Sequence, residues 1–176
     1  PPSLRSVWHS PQNADTLARA NSDPMADRKK TLDQLEGVTT GPPDYDSHLV
    51  RRCTQLRRVP LDAFTAEDLR ITLGQGISPF FLAPVALDLL EHRPLTSGDF
   101  YPGDLLASLV RARAGWQQDA GLRRRVVAVL DRALDELPHR LANDHTEAEE
   151  PLSAKLVAEL GDLFRSSKRD LETIIN

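Results

Sequence analysis

Proline and glycine divide this chain into runs of helical length, and within each long run the apolar side chains recur at helical spacing. Leu32, Leu35 and Val38 fall at i, i+3 and i+6 before Thr39–Pro43 breaks the pattern. Leu49, Val50, Cys53 and Leu56 share a face that Asp46 or Ser47 can cap and Pro60 closes. Thr65 and Asp68 have the spacing of a capping box ahead of Leu69, Ile71 and Leu73, a helix that stops at Gly74 and Gly76. Ser78 and Pro79 then offer a cap followed by proline at the first helical position. From Phe80 to Leu90 the sequence is apolar on nearly all sides, which predicts a buried helix at the centre of the core. Pro84 lies early in that helix, where a missing amide costs least.

Further helices are predicted over Gly103–Trp116, over Ala120–Leu137 behind Asp119, and over a last segment carrying Leu152, Leu156, Val157, Leu160, Leu163 and Phe164. Leu171–Ile175 extends the last one. The valines of Ala120–Leu137 favour strand locally, but their placement on one stripe outweighs that preference. No segment alternates with the period of a strand. The expectation is an all-α protein, a single compact helical domain of six or seven helices.

A chain of 176 residues is one ordinary domain. With 40% apolar and 27% charged residues it can close a core. Residues 1–24 are different: mostly Pro, Ser, Asn and Asp without a period, so they are expected to form a disordered extension. They lack the charged start and apolar run of a secretory leader. Met25 is the single methionine, and residues 25–176 are expected to form the helical domain. No run of residues is apolar enough for a membrane span, and one cysteine allows no internal disulfide or cysteine zinc cluster. A cytoplasmic location is the reading these features support.

The formal charge of -4 gives no global field for nucleic-acid phosphates, so direct nucleic-acid binding is disfavoured. Charge is unevenly spread, however. Arg51, Arg52, Arg57 and Arg58 cluster on one helix, while Arg111, Arg113, Arg123, Arg124 and Arg125 flank Trp116. These clusters keep open a second reading, a helical regulatory or nucleic-acid-binding module. Opposite in sign is the segment Asp131–Glu150, with Asp131, Asp135, Glu136, Asp144, Glu147, Glu149 and Glu150 against two arginines. Solvated faces are the default for both signs. The functional alternative for the acidic segment is a surface that docks a basic protein.

Catalytic and cofactor motifs are lacking in the sequence: there is no phosphate-binding glycine loop, no dinucleotide fingerprint and no His-Glu-x-x-His. No cofactor, metal or catalytic residue is therefore assigned. His139, Asp144 and His145 could meet in a loop, at a spacing common by chance. Cys53 reads as a small buried hydrophobe.

The most unusual stretch is Leu69–Leu106. Asp99 or Asp104 can cap the helix that follows Gly98, Pro102 and Gly103, Phe100 and Tyr101 can fold back on the core, and Gln75 can bond free backbone groups at a helix junction. The order of Leu69, Arg70, Gly74, Gln75, Pro84, Ala86, Leu87, Gly98, Asp99, Tyr101, Gly103, Asp104, Leu105 and Leu106 resembles the immunity proteins of bacterial contact-dependent growth inhibition systems. Pro94, Leu95, Pro60, Leu61 and Thr31–Gly37 also fit, so the resemblance spans about residues 31–116. Ser78-Pro79 departs from the pattern, where a Gly-Leu-like pair is expected. The resemblance implies a non-catalytic cytoplasmic protein that binds and neutralises a cognate toxin domain. Such toxins are often nucleases with basic clefts, which makes Asp135, Glu136, Asp144, Glu147, Glu149 and Glu150 the expected contact residues. The motif residues Gly74, Gln75, Pro84, Gly98, Asp99, Tyr101, Gly103 and Asp104 are expected to be mainly scaffold, because glycine and proline specify turns.

Overall fold

The computed structural model describes residues 28–42, 47–142 and 152–175, and those residues form an all-α single domain. In chain order the helices are α1 (Leu32–Glu36), α2 (His48–Leu56), α3 (Ala66–Gly74), α4 (Pro79–His92), α5 (Asp104–Arg111), α6 (Ala120–Glu136), α7 (His139–Ala142) and α8 (Ala154–Ile175). Single 3-10 turns, Leu61–Ala63 and Arg113–Gly115, punctuate the path. Among the described residues there is no strand, only an isolated bridge between Thr31 and Pro60. The segment predicted to be a disordered extension, and Met25 with it, lies outside the described residues.

Local chemistry starts the helices where the pattern predicts. The Ser47 hydroxyl accepts from the Val50 amide, and Asp119 accepts from the Leu122 amide at 2.8 Å. Thr65 and Asp68 form a complete capping box. A second one, Thr31 with Gln34, starts α1. Gly37 ends α1 in a left-handed turn, so Val38 leaves the predicted stripe and is exposed.

Ser78 corrects another expectation. It sits at φ 45 with no side-chain cap, and its hydroxyl donates instead to Glu36 at 2.5 Å. That bond offsets the cost of a left-handed non-glycine residue.

The core lies between α3, α4, α5, α6 and α8. Helix α4 contributes Leu82, Ala83, Ala86, Leu87 and Leu90, but Leu89 is exposed and Phe80, Phe81 and Val85 are half-buried. The most enclosed helix is α5, in which every residue from Asp104 to Val110 is buried. It is wrapped by α3, α4 and α8, so the central position expected of α4 belongs to its successor. The helix predicted over Gly103–Trp116 is shorter than expected, ending at Arg111 before the 3-10 turn. Trp116 is buried beyond that turn and donates its indole N–H to the Leu109 carbonyl at 3.1 Å, which satisfies its one polar atom.

Candidate functional site

The motif residues that are dispersed along the sequence meet where α3 faces the loop entering α5. Glu67 and Arg70, one turn apart on α3, pair through two bonds of 2.5 and 2.6 Å. Asp104, the first residue of α5, is buried. One of its oxygens accepts from the Gly98 amide at 2.6 Å and the other from the Phe100 amide at 3.2 Å. The Asp99 amide donates to Glu67 at 2.9 Å. Three successive amides of the loop are thus held by two carboxylates, and Arg70 lies 3.8 Å from Asp104 between them.

Gly98 approaches α3 closely: a Cβ there would stand 2.5 Å from Glu67 Oε2 and 2.9 Å from Arg70 Cδ, so the two side chains would have to move. Gly103 has φ +90, and its amide donates to the Leu95 carbonyl at 3.1 Å. Neither aspartate caps α5 in the expected way. Asp104 fastens the preceding loop, while Asp99 is exposed.

The other motif residues lie at a helix end, within a helix and against the core. Gly74 ends α3, and the Gln75 amide closes it by donating to Ile71 at 3.0 Å. Pro84 lacks the amide that would serve the Phe80 carbonyl. Tyr101 packs half-buried against the core, whereas Phe100, expected to fold inward with it, is 71% exposed. The Arg70 guanidinium stacks 4.3 Å from the centre of the Phe100 ring.

The arginine clusters are largely absorbed by the fold. Arg57 is buried and bonds Asp33 at 2.9 Å, the Thr40 hydroxyl at 2.7 Å, and Glu36. Arg52 reaches Asp68, and Arg58 donates to the Thr40 carbonyl. Arg125 binds Glu91 and Asp88, with Arg28 also on Asp88. Arg123 donates to the Gln117 carbonyl and Arg113 pairs with Asp170. Apart from Gln117, these partners lie 16 or more residues from their arginines, beyond the reach of a local pattern.

Of the predicted acidic contacts, Asp135 and Glu136 are exposed at the end of α6. Asp144, Glu147, Glu149 and Glu150 lie outside the described residues. So do Asp144 and His145 of the histidine loop, and His139 begins α7. Among the described residues no group of three His, Cys, Asp or Glu is arranged to hold a metal, and no helix is long and apolar enough to cross a membrane. Cys53 is buried, and burial pushes its thiol up to about 11 despite the nearby Arg52 charge.

The polar networks have a consequence for pH. Burial works against the Asp33 carboxylate, but the Thr40 hydroxyl and amide and Arg57 outweigh it and hold it below its ordinary 3.8. The Arg70 bonds hold Glu67 below its ordinary 4.5 against burial, with help from the Asp99 amide. Both groups bind fewer protons folded than unfolded, so their contribution is present above the ordinary values and is lost as pH falls through the folded ones. The thermal midpoint is therefore expected to drop as pH falls below 4.5, with a shallower drop in Glu67→Gln. A midpoint that stayed level to about pH 3 would contradict this.

Fold and network together define a small helical protein in which many charged side chains pair with one another between helices or hold its loops. Its sequence places it further: the CDI immunity proteins match residues 34–126, more than half of the chain, and the protein belongs to that family, CdiI_3. No curated protein and no solved structure matches the chain. The expected family and the all-α fold both hold.

Proposed function

We propose that this protein binds a cognate contact-dependent growth inhibition toxin domain in the cytoplasm and neutralises it without turnover. Membership of the immunity family is the observation that carries this reading. The fold is consistent with it, because the Glu67–Arg70–Asp104 network ties loop to helix and leaves its carboxylates bound to amides and a guanidinium. The second reading, a nucleic-acid module, loses support from the ion pairs that occupy Arg52, Arg57, Arg113 and Arg125.

The acidic segment, including Asp135, Glu136, Asp144, Glu147, Glu149 and Glu150, is the proposed docking surface for a toxin with a basic cleft, such as a nuclease. Charge complementarity there would speed encounter and set pairing. The decisive experiment expresses the toxin domain encoded beside this gene in a bacterium, with and without the protein. Restored growth and a co-purifying complex are expected. Failure of a soluble, folded protein to restore growth would end the reading.

Charge reversal of Glu147, Glu149 and Glu150 together is expected to slow association about tenfold at low salt. An unchanged on-rate and affinity would remove the acidic segment as the contact.

A further inference from the structure

Single exposed apolar side chains are ordinary on protein surfaces. Phe100 differs in how it is held. It is the most exposed of the large hydrophobic residues described, at 71% against 49% for Ile174. Yet the backbone beneath it is fixed at three consecutive residues, by Asp104 on Gly98 and Phe100 and by Glu67 on Asp99. One of those carboxylates is buried, and glycine at position 98 lets the loop approach Glu67 and Arg70 closely. Arg70 supports one side of the ring. A flexible loop would lose ordering entropy when a partner seized its tip; this one has lost that entropy already.

We propose that the 98–101 loop, with Phe100 at its tip, is a preformed contact by which this protein engages its toxin, the ring entering an apolar recess edged by basic side chains. Rigid aromatic anchors of this kind carry much of the energy in protein interfaces. The sign of the recess follows from the charges around the ring. Glu67, Asp99 and Asp104 surround a single guanidinium, Arg70, and the Asp99 side chain is exposed beside the tip. A basic rim complements that surplus of negative charge.

A second copy of this chain does not fit as well. A two-fold contact through Phe100 would bring the Asp99 carboxylate of one copy towards that of the other, like charge against like.

This assignment rests on the toxin-binding reading, and the test separates the two. Titration calorimetry and association kinetics would use the toxin domain encoded beside this gene against wild type, Phe100→Ala and Asp99→Lys. Because Phe100 is exposed, the thermal midpoint of Phe100→Ala should match that of wild type. Its affinity is expected to fall at least about 30-fold. Asp99→Lys should slow association about tenfold at low salt, with the difference shrinking as salt is added.

Wild-type binding with Phe100→Ala within about threefold would overturn the loop assignment and leave toxin binding intact. No binding by wild type would overturn both. Sedimentation of the protein alone supplies the remaining outcome: a dimer that Phe100→Ala dissolves would reassign the loop to self-association and overturn the toxin contact.

Discussion

Replacing Arg57 by alanine is expected to destabilise the protein by about 3–5 kcal/mol, because it strands buried carboxylates without their counter-charge. Arg57 bonds Asp33 and Glu36, and both carboxylates are nearly enclosed, at 12% and 9% side-chain exposure. Glu36 also accepts from Ser78, and Asp33 accepts from the Thr40 hydroxyl at 2.6 Å. A single guanidinium therefore ties α1, α2 and the turn into α4 together. Urea denaturation would read the loss as a lower midpoint at unchanged slope. Arg57→Lys, which keeps the charge but not the planar fork, should fall between wild type and alanine. Arg57→Met combined with Asp33→Asn and Glu36→Gln should recover much of the loss, since no buried charge is then left unpaired. A cost below about 1 kcal/mol for Arg57→Ala would refute this account.

Asp104→Ala is the second large effect, expected at about 2–4 kcal/mol. It removes the acceptor of the Gly98 and Phe100 amides and leaves Arg70 with fewer negative neighbours. It also removes an acidic side chain from the first turn of α5, where the helix dipole favours one. Asp104→Asn should cost less, because one oxygen can still accept while the other position presents an N–H to an amide. Hydrogen exchange at Gly98 and Phe100 should accelerate in the alanine variant far more than at the amides of α6. If the two loop amides stayed as protected as in wild type, Asp104 would not be what holds the loop.

Which parts of this structure could be read in advance follows from how local their causes are. The caps at Ser47, Thr65 and Asp119 depend on residues three positions apart, and each helix starts where that spacing says. Ser78 has the same residue type in the same place before a proline, but its partner is Glu36, 42 residues away, so the local pattern misleads. The role of Asp104 was hidden in the same way. Asp99 and Asp104 are equivalent as a pattern, and only the packing of the loop on α3 decides which one is buried. The enclosure of α5 was hidden too, since a charge at its start precedes the six buried residues, whereas Phe80–Leu90 is apolar on nearly all sides. The arginine clusters looked like ligand-binding patches because their acids stand 16 to 57 residues away. The family, by contrast, was legible from residue order alone, and the match over residues 34–126 bears that out.

The distances along the chain between these bonded partners also bear on how the protein is made. A ribosome delivers Asp88 and Glu91 well before Arg125, and Arg113 well before Asp170. The start of α5 waits on the last helix as well: Gly103 lies near Leu160 and Phe164, both on α8. A nascent chain can coil its first helices while these acids and bases are still bare, but it cannot enclose α5 that way. Helix α5 is fully enclosed only when the last helix docks on it, so a half-made copy leaves part of its core open.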